Sequence, residues 1–98
     1  MRHYLRTQLS PDRVLALADQ FFPRIAPART ASDPRRRTFV GELGRVSMFV
    51  WKEGGGHYTF IDATTDQVGE SRLDRNVKRF FVTLHQAEFP SYRLTSAF

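Results

Sequence analysis

Residues 45–64 read RVSMFVWKEGGGHYTFIDAT, and this stretch decides the fold. Apolar, aromatic and β-branched residues stand on both sides of three glycines, which is typical of two antiparallel strands joined by a tight turn. A two-residue turn at positions 54–55 predicts that Trp51 lies opposite Tyr58 and that Phe49 lies opposite Phe60. These four rings then share one face of the hairpin. The other face carries smaller side chains, those of Val46, Met48, Val50, Thr59, Ile61 and Ala63.

Both faces of this hairpin are therefore apolar, whereas a chain of 98 residues has helices enough to cover only one of them. The four rings offer ~600–1,000 Å² in total if each exposes ~150–250 Å². The largest apolar patch of a typical monomer is only ~300–600 Å². We therefore expect something to cover the aromatic side. The sequence leaves three alternatives open: the chain's own loop or tail, a partner protein or second copy of the chain, and stacked nucleic-acid bases.

A strand and a helix are predicted before the hairpin. Residues 2–9 alternate between polar and apolar side chains, as a half-buried strand does. Ser10 is placed to cap a helix that has Pro11 at its first position. Apolar residues then recur at helical spacing until Pro23 ends the element.

Residues 24–37 show no regular period and contain two prolines, so we predict a long loop. Five arginines against one aspartate make this loop basic and favour anion binding. The predicted anion-binding residues are Arg24, Arg29, Arg35, Arg36 and Arg37. A strand at residues 36–41 follows, and its register with the hairpin stays open. Either Phe39 or Val40 lies beside Val46 on the covered face.

The second helix is predicted after the hairpin. Ser71 and Asp74 form a capping box at its start, and Pro90 cannot continue it. The order of elements is then β-α-β-β-β-α. This order predicts an α+β two-layer sandwich, in which a four-stranded antiparallel sheet carries two helices on one face. We assign residues 1–89 to this single domain and residues 90–98 to a C-terminal tail.

Composition narrows the class of protein. No apolar run approaches the ~20 residues that span a bilayer, and no apolar stretch of signal-peptide length stands at the N-terminus. The chain has no cysteine, so it has neither disulfides nor a thiol nucleophile. We therefore expect a cytoplasmic protein without a transmembrane segment of its own, either in solution or peripheral to a membrane.

Charge is unevenly distributed along the chain. The net charge of +5 arises in the first 37 residues, where eight arginines stand against three aspartates. Thirteen of the 15 basic residues are arginine. Because the guanidinium group is planar and donates in pairs, this composition favours contacts with carboxylates or phosphates.

Patterns typical of catalysis are missing from the sequence. His3, His57 and His85 lack the spacing of metal ligands. Asp62 and Asp66 lie across a strand end and do not converge as a general acid and base. We therefore expect no enzymatic activity, no metal site and no cofactor.

Together these patterns predict a non-enzymatic accessory or scaffolding subunit that docks on a larger cytoplasmic assembly. Net basic charge would also suit the cytoplasmic face of a membrane-embedded complex, respiratory or photosynthetic, and a homodimer is a further form of partner. The alternative is a small nucleic-acid-binding protein that uses the arginine-rich loop and the sheet aromatics. The predicted partner-binding residues are Phe49, Trp51, Tyr58, Phe60, Tyr92 and Phe98.

Overall fold

A computed structural model describes residues 1–89, and for residues 31 and 32 it describes the backbone only. The predicted tail, with Tyr92 and Phe98, lies outside the described residues. The elements are, in chain order, β1 (Arg2–Thr7), α1 (Pro11–Phe21), β2 (Ala28–Asp33), β3 (Arg36–Gly41), β4 (Gly44–Glu53), β5 (Tyr58–Thr65) and α2 (Arg72–Glu88).

The strands form one antiparallel sheet in the order β1-β5-β4-β3-β2, and α1 and α2 pack on the same face of it. The predicted α+β class and the antiparallel sheet with two helices are confirmed. The sheet has five strands where the sequence predicts four. No helix within residues 1–89 is both long and apolar enough to cross a bilayer.

Both helices begin at the predicted capping residues. The Ser10 hydroxyl accepts a hydrogen bond from the Arg13 amide at 3.1 Å, which caps α1. At the start of α2, the Ser71 hydroxyl accepts from the Asp74 amide at 3.2 Å, and the Asp74 carboxylate accepts from the Ser71 amide at 3.1 Å. This reciprocal pair is the capping box.

The core lies between the helices and the covered face of the sheet. Phe39 lies opposite Val46 on that face, which resolves the register of β3 that the sequence leaves open. The rings of Phe22, Phe39 and Phe80 are fully buried. The centre of the Phe22 ring lies 5.2 Å from that of Phe39, on which it stacks, and 5.1 Å from that of Phe80, to which it is tilted. These contacts join the end of α1, the sheet and α2.

The hairpin turn spans four residues, 54–57, and the predicted two-residue turn is wrong. Its three glycines have φ angles of 61°, 69° and 89°, a region that glycine adopts without steric cost. Trp51 therefore lies opposite Phe60, and Phe49 lies opposite Asp62. Each predicted pair is displaced by two residues. The side chains still lie on their predicted faces, because orientation alternates with a period of two.

The basic stretch is largely a strand, and the prediction of a long loop is wrong. Residues 28–33 form β2, which pairs with β3 at the edge of the sheet. The register shifts between Arg29 and Ala31, so the alternation that identifies a strand is interrupted. Pro27 and Pro34 flank the strand, and proline is tolerated at such edges.

Candidate functional site

The face of the sheet opposite the helices, called the open face below, carries most of the predicted partner-binding residues. Val50 and Ile61 point toward the helices and are fully buried, so their neighbours Trp51 and Phe60 point the other way. Five rings gather there and form what we call the aromatic cluster: Tyr4, Phe49, Trp51, Tyr58 and Phe60.

Rings of the aromatic cluster pack on one another. The centre of the Phe60 ring lies 4.9 Å from that of Trp51 and 5.5 Å from that of Tyr4. Trp51 and Phe60 are half-buried, whereas Tyr4 is 51% exposed and Phe49 is 39% exposed. The rings thus shield each other in part, and the uncovered area is smaller than the sequence suggests.

Three arginines lie over these rings, a feature that the sequence analysis misses. The distance from the guanidinium carbon to the ring centre is 4.1 Å for Arg36 over Phe49, 5.1 Å for Arg6 over Phe60 and 5.1 Å for Arg2 over Tyr4. A guanidinium above a ring is attracted to its π electrons, while the N–H groups at its edge stay available to acceptors.

Two carboxylates accompany the arginines. Arg2 Nη2 donates to Asp62 Oδ2 at 2.7 Å, and Arg6 Nε lies 3.9 Å from Glu53 Oε2. Trp51 Nε1 donates to the same Glu53 side chain at 3.3 Å. The side chains of Arg2 and Arg6 are 60% and 62% exposed. The carboxylate side chains of Asp62 and Glu53 are only 15% and 33% exposed. The charge that the open face presents to solvent is therefore mainly positive.

The five arginines predicted to bind anions do not come together. Arg29 Nη1 and Arg37 Nε contact the carboxylate of Asp19 in α1 at 3.1 Å and 3.0 Å, on the helix side of the sheet. Arg36 joins the open face. Anion binding by the whole set stays a prediction, and the structure divides its members between the two sides of the sheet.

The other two predicted arginines line shallow depressions. One, of about 450 Å³, contains Arg24 and Arg72 together with Glu42. Another, of about 310 Å³, contains Arg35 and Lys52. Neither includes a ring of the aromatic cluster.

A buried polar cluster lies at the start of α2. Asp74 is fully buried, and its Oδ1 lies 2.8 Å from His3 Nε2 and accepts from Thr65 Oγ1 at 2.9 Å. Its Oδ2 accepts from the Ser71 hydroxyl at 2.7 Å and from the Ser71 amide. Burial raises the pKa of the Asp74 carboxyl, but the hydrogen bonds from His3, Ser71 and Thr65 outweigh burial and hold that pKa well below its usual range.

This cluster joins β1, β5 and α2 and leaves no reactive group at the surface. Both carboxylate oxygens of Asp74 are occupied, and the His3 side chain is only 9% exposed. Within residues 1–89, no three His, Asp or Glu side chains converge as metal ligands would. The chain matches no protein-family model, and no curated protein or solved structure is detectably similar to it.

Proposed function

We propose that the chain is a non-enzymatic docking subunit of a larger assembly and that it binds a partner protein through the open face. The aromatic cluster carries this proposal. Its rings lie on the face that neither helix covers, and Tyr4 and Phe49 are exposed. Tyrosine, tryptophan and arginine are the residues most enriched at binding hot spots, and all three occur here.

The size of the cluster matches the centre of an interface. Its rings lie on three adjacent strands, β1, β5 and β4, which are ~4.8 Å apart. Along the strands they occupy three successive positions of the same face, ~6.8 Å apart. This footprint is about 200–300 Å² once ring widths are included. A stable interface buries ~800 Å² on each partner, so polar surroundings would supply the remaining contact as a rim.

Nucleic-acid binding is the competing function, and the arginines beside the rings are the observation in its favour. Three features weigh against it. The Arg36 guanidinium occupies the face of Phe49 on which a base would stack. Asp62 lies opposite Phe49 within the face and holds the Arg2 guanidinium at 2.7 Å, so Arg2 already has an anionic partner. Arg29 and Arg37 are paired with Asp19 on the other side of the sheet. A protein partner therefore accounts better for the geometry.

The location of the assembly stays a prediction. A cytoplasmic complex and the cytoplasmic face of a membrane-embedded complex, respiratory or photosynthetic, are both compatible with the proposal. A contribution of Tyr92 and Phe98 also stays a prediction, as does a homodimer.

Native purification tests the proposal. The tagged full-length chain is purified from its own host as wild type, as Trp51→Ala and as Val82→Ala. Val82 is the matched control, since it is an apolar side chain on α2 that is 56% exposed and lies away from the open face. We expect wild type and Val82→Ala to retain the same partner protein, also at high salt, and Trp51→Ala to lose it.

Two results would contradict the proposal. One is a complex that survives Trp51→Ala unchanged. The other is co-purification of nucleic acid alone, released steeply as the salt concentration rises, because that behaviour is characteristic of phosphate contacts.

A further inference from the structure

We infer that the partner segment bound by the open face is acidic, with apolar side chains seated on the aromatic cluster and carboxylates on either side that bind Arg6 and Arg36. This inference rests on the proposed function and adds the chemistry of the partner to it.

Charge at the surface is the first reason. Arg2 and Arg6 present most of their side chains to solvent, whereas the carboxylates beside them are mostly covered. Arg36 is exposed, and no ion pair joins it to a carboxylate within residues 1–89. A partner that brings carboxylates to these guanidinium groups gains attraction without displacing an existing partner of Arg36.

Preorganisation is the second reason. Arg36 lies 4.1 Å above the Phe49 ring, and Arg6 lies 5.1 Å above Phe60. Stacking on a ring restricts the long arginine side chain before binding, so less conformational entropy is lost when a carboxylate docks. The donors at the edge of each guanidinium fit the two oxygens of a carboxylate.

The spacing of the arginines constrains the partner further. Arg6 is on β1 and Arg36 is on β3, three strand spacings away, or ~14 Å, and one row apart. The diagonal between the two backbone positions is roughly 16 Å. The guanidinium groups lean toward each other over Phe49 and Phe60, and these two ring positions are one strand and one row apart, or roughly 8 Å. The partner should therefore carry two acidic groups roughly 8–16 Å apart with apolar groups between them. About 5–11 residues of helix or about 2–5 residues of strand cover this distance.

A second copy of the chain fits this surface poorly. Two open faces brought together would oppose guanidinium groups with guanidinium groups, since the nearby carboxylates are mostly covered. The net charge of +5 on each chain adds to the repulsion. The same surface charge favours an acidic segment of another protein.

Peptide display tests the inference. Random 16-residue peptides are selected on the full-length chain and are kept only if they bind wild type and not Trp51→Ala. We expect the retained peptides to carry Asp or Glu on both sides of aromatic or aliphatic residues. The strongest peptide is then synthesised, and its dissociation constant is measured against charge variants.

Arg36→Glu and Arg6→Glu should each weaken this peptide by about tenfold or more. Arg79→Glu on the exposed side of α2 makes the same change of charge elsewhere and should alter the affinity by less than about twofold. Arg36→Gln removes the positive charge without introducing a negative one and should also weaken binding. It therefore separates loss of the contact from misfolding that Arg36→Glu could cause.

Several results would overturn the inference. They are retained peptides that are basic or uncharged, charge reversals that act no more strongly than Arg79→Glu, and a failure to retain any peptide that depends on Trp51. Tighter binding of a 15-nucleotide thymidine oligomer than of every selected peptide would instead assign the open face to nucleic acid. If the native partner is still lost on Trp51→Ala, the proposed docking function stands although the acidic partner does not.

Discussion

Replacement of Asp74 by alanine is expected to destabilise the fold much more than loss of an ordinary helix cap. The side chain of Asp74 is fully buried, and its carboxylate binds the His3 ring, the Thr65 hydroxyl and both the hydroxyl and the amide of Ser71. The substitution removes the acceptor for all of these groups at once, in a place that water does not reach.

The magnitude follows from the groups left behind. A buried donor without a partner costs about 1–3 kcal/mol, and Asp74→Ala leaves His3 and Thr65 in this position in addition to removing the cap. Two such donors and the lost cap together give an expected loss of about 3–5 kcal/mol. Ser10→Ala is the control, because the Ser10 hydroxyl accepts a hydrogen bond from the exposed Arg13 amide and caps α1. It should cost about 1 kcal/mol.

Urea denaturation of both variants gives the comparison, followed by helical circular dichroism and by the fluorescence of Trp51, the single tryptophan. Coincidence of the two signals supports the two-state treatment that the free energies need. Equal losses for Asp74→Ala and Ser10→Ala would refute the reasoning, since the carboxylate would then act as a local cap and not as the junction of β1, β5 and α2.

Three further predictions concern stability. The pKa of the Asp74 carboxyl is depressed in the folded chain, so the free energy of unfolding should be steady above about pH 5 and decrease as the pH falls through the ordinary aspartate range. Urea midpoints measured across pH should show this decrease for the wild type and a flatter profile for Asp74→Asn. Gly41→Ala should cost about 1–3 kcal/mol, because the new Cβ would lie 2.5 Å from the Ile25 carbonyl oxygen. Gly56→Ala has open space around the new Cβ but a φ of +89°, so it should cost about 1–2 kcal/mol of backbone strain. A negligible shift in the melting temperature of Gly41→Ala would contradict the close contact at Ile25. Phe80→Ala should cost about 3–5 kcal/mol in calorimetric unfolding, and a loss below about 1 kcal/mol would show that this ring is not central to the core.

The hairpin illustrates what the sequence can determine. The period of two assigns Trp51 and Phe60 to one face and Val50 and Ile61 to the other, and the structure agrees. The same period is unchanged when one strand slides by two residues, so it cannot identify cross-strand partners. The turn would have to supply that information, and three successive glycines permit turns of more than one length.

Strand β2 illustrates a signal that is missing from the sequence. Its residues 28–33, ARTASD, include a single β-branched side chain, and the bulge after Arg29 breaks the alternation. The strand forms because β3 offers it a row of backbone partners, and composition does not report such tertiary pairing. The pairing of Arg29 and Arg37 with Asp19 was hidden for the same reason.

Contacts between distant parts of the chain account for the rest. The capping box of α2 is readable because Ser71 and Asp74 are three residues apart, whereas His3 reaches Asp74 from 71 residues away. Likewise, Tyr4 and Arg6 join the open face only once β1 is known to pair with β5. The alternation of β1 does place these side chains on its polar side, and this is the one signal that could have indicated them.

The central claim is that the open face contacts another protein, and site-specific photo-crosslinking in the native host measures this contact most directly. A photoreactive phenylalanine analogue replaces Tyr4, the 51% exposed ring of the aromatic cluster, in one strain and Val82 in another, so that Trp51 stays intact. We predict a crosslink from position 4 to one defined protein and none to that protein from position 82, which lies on the exposed side of α2. This prediction fails if position 4 gives no crosslinked protein after illumination, or if position 82 captures the same protein with equal yield.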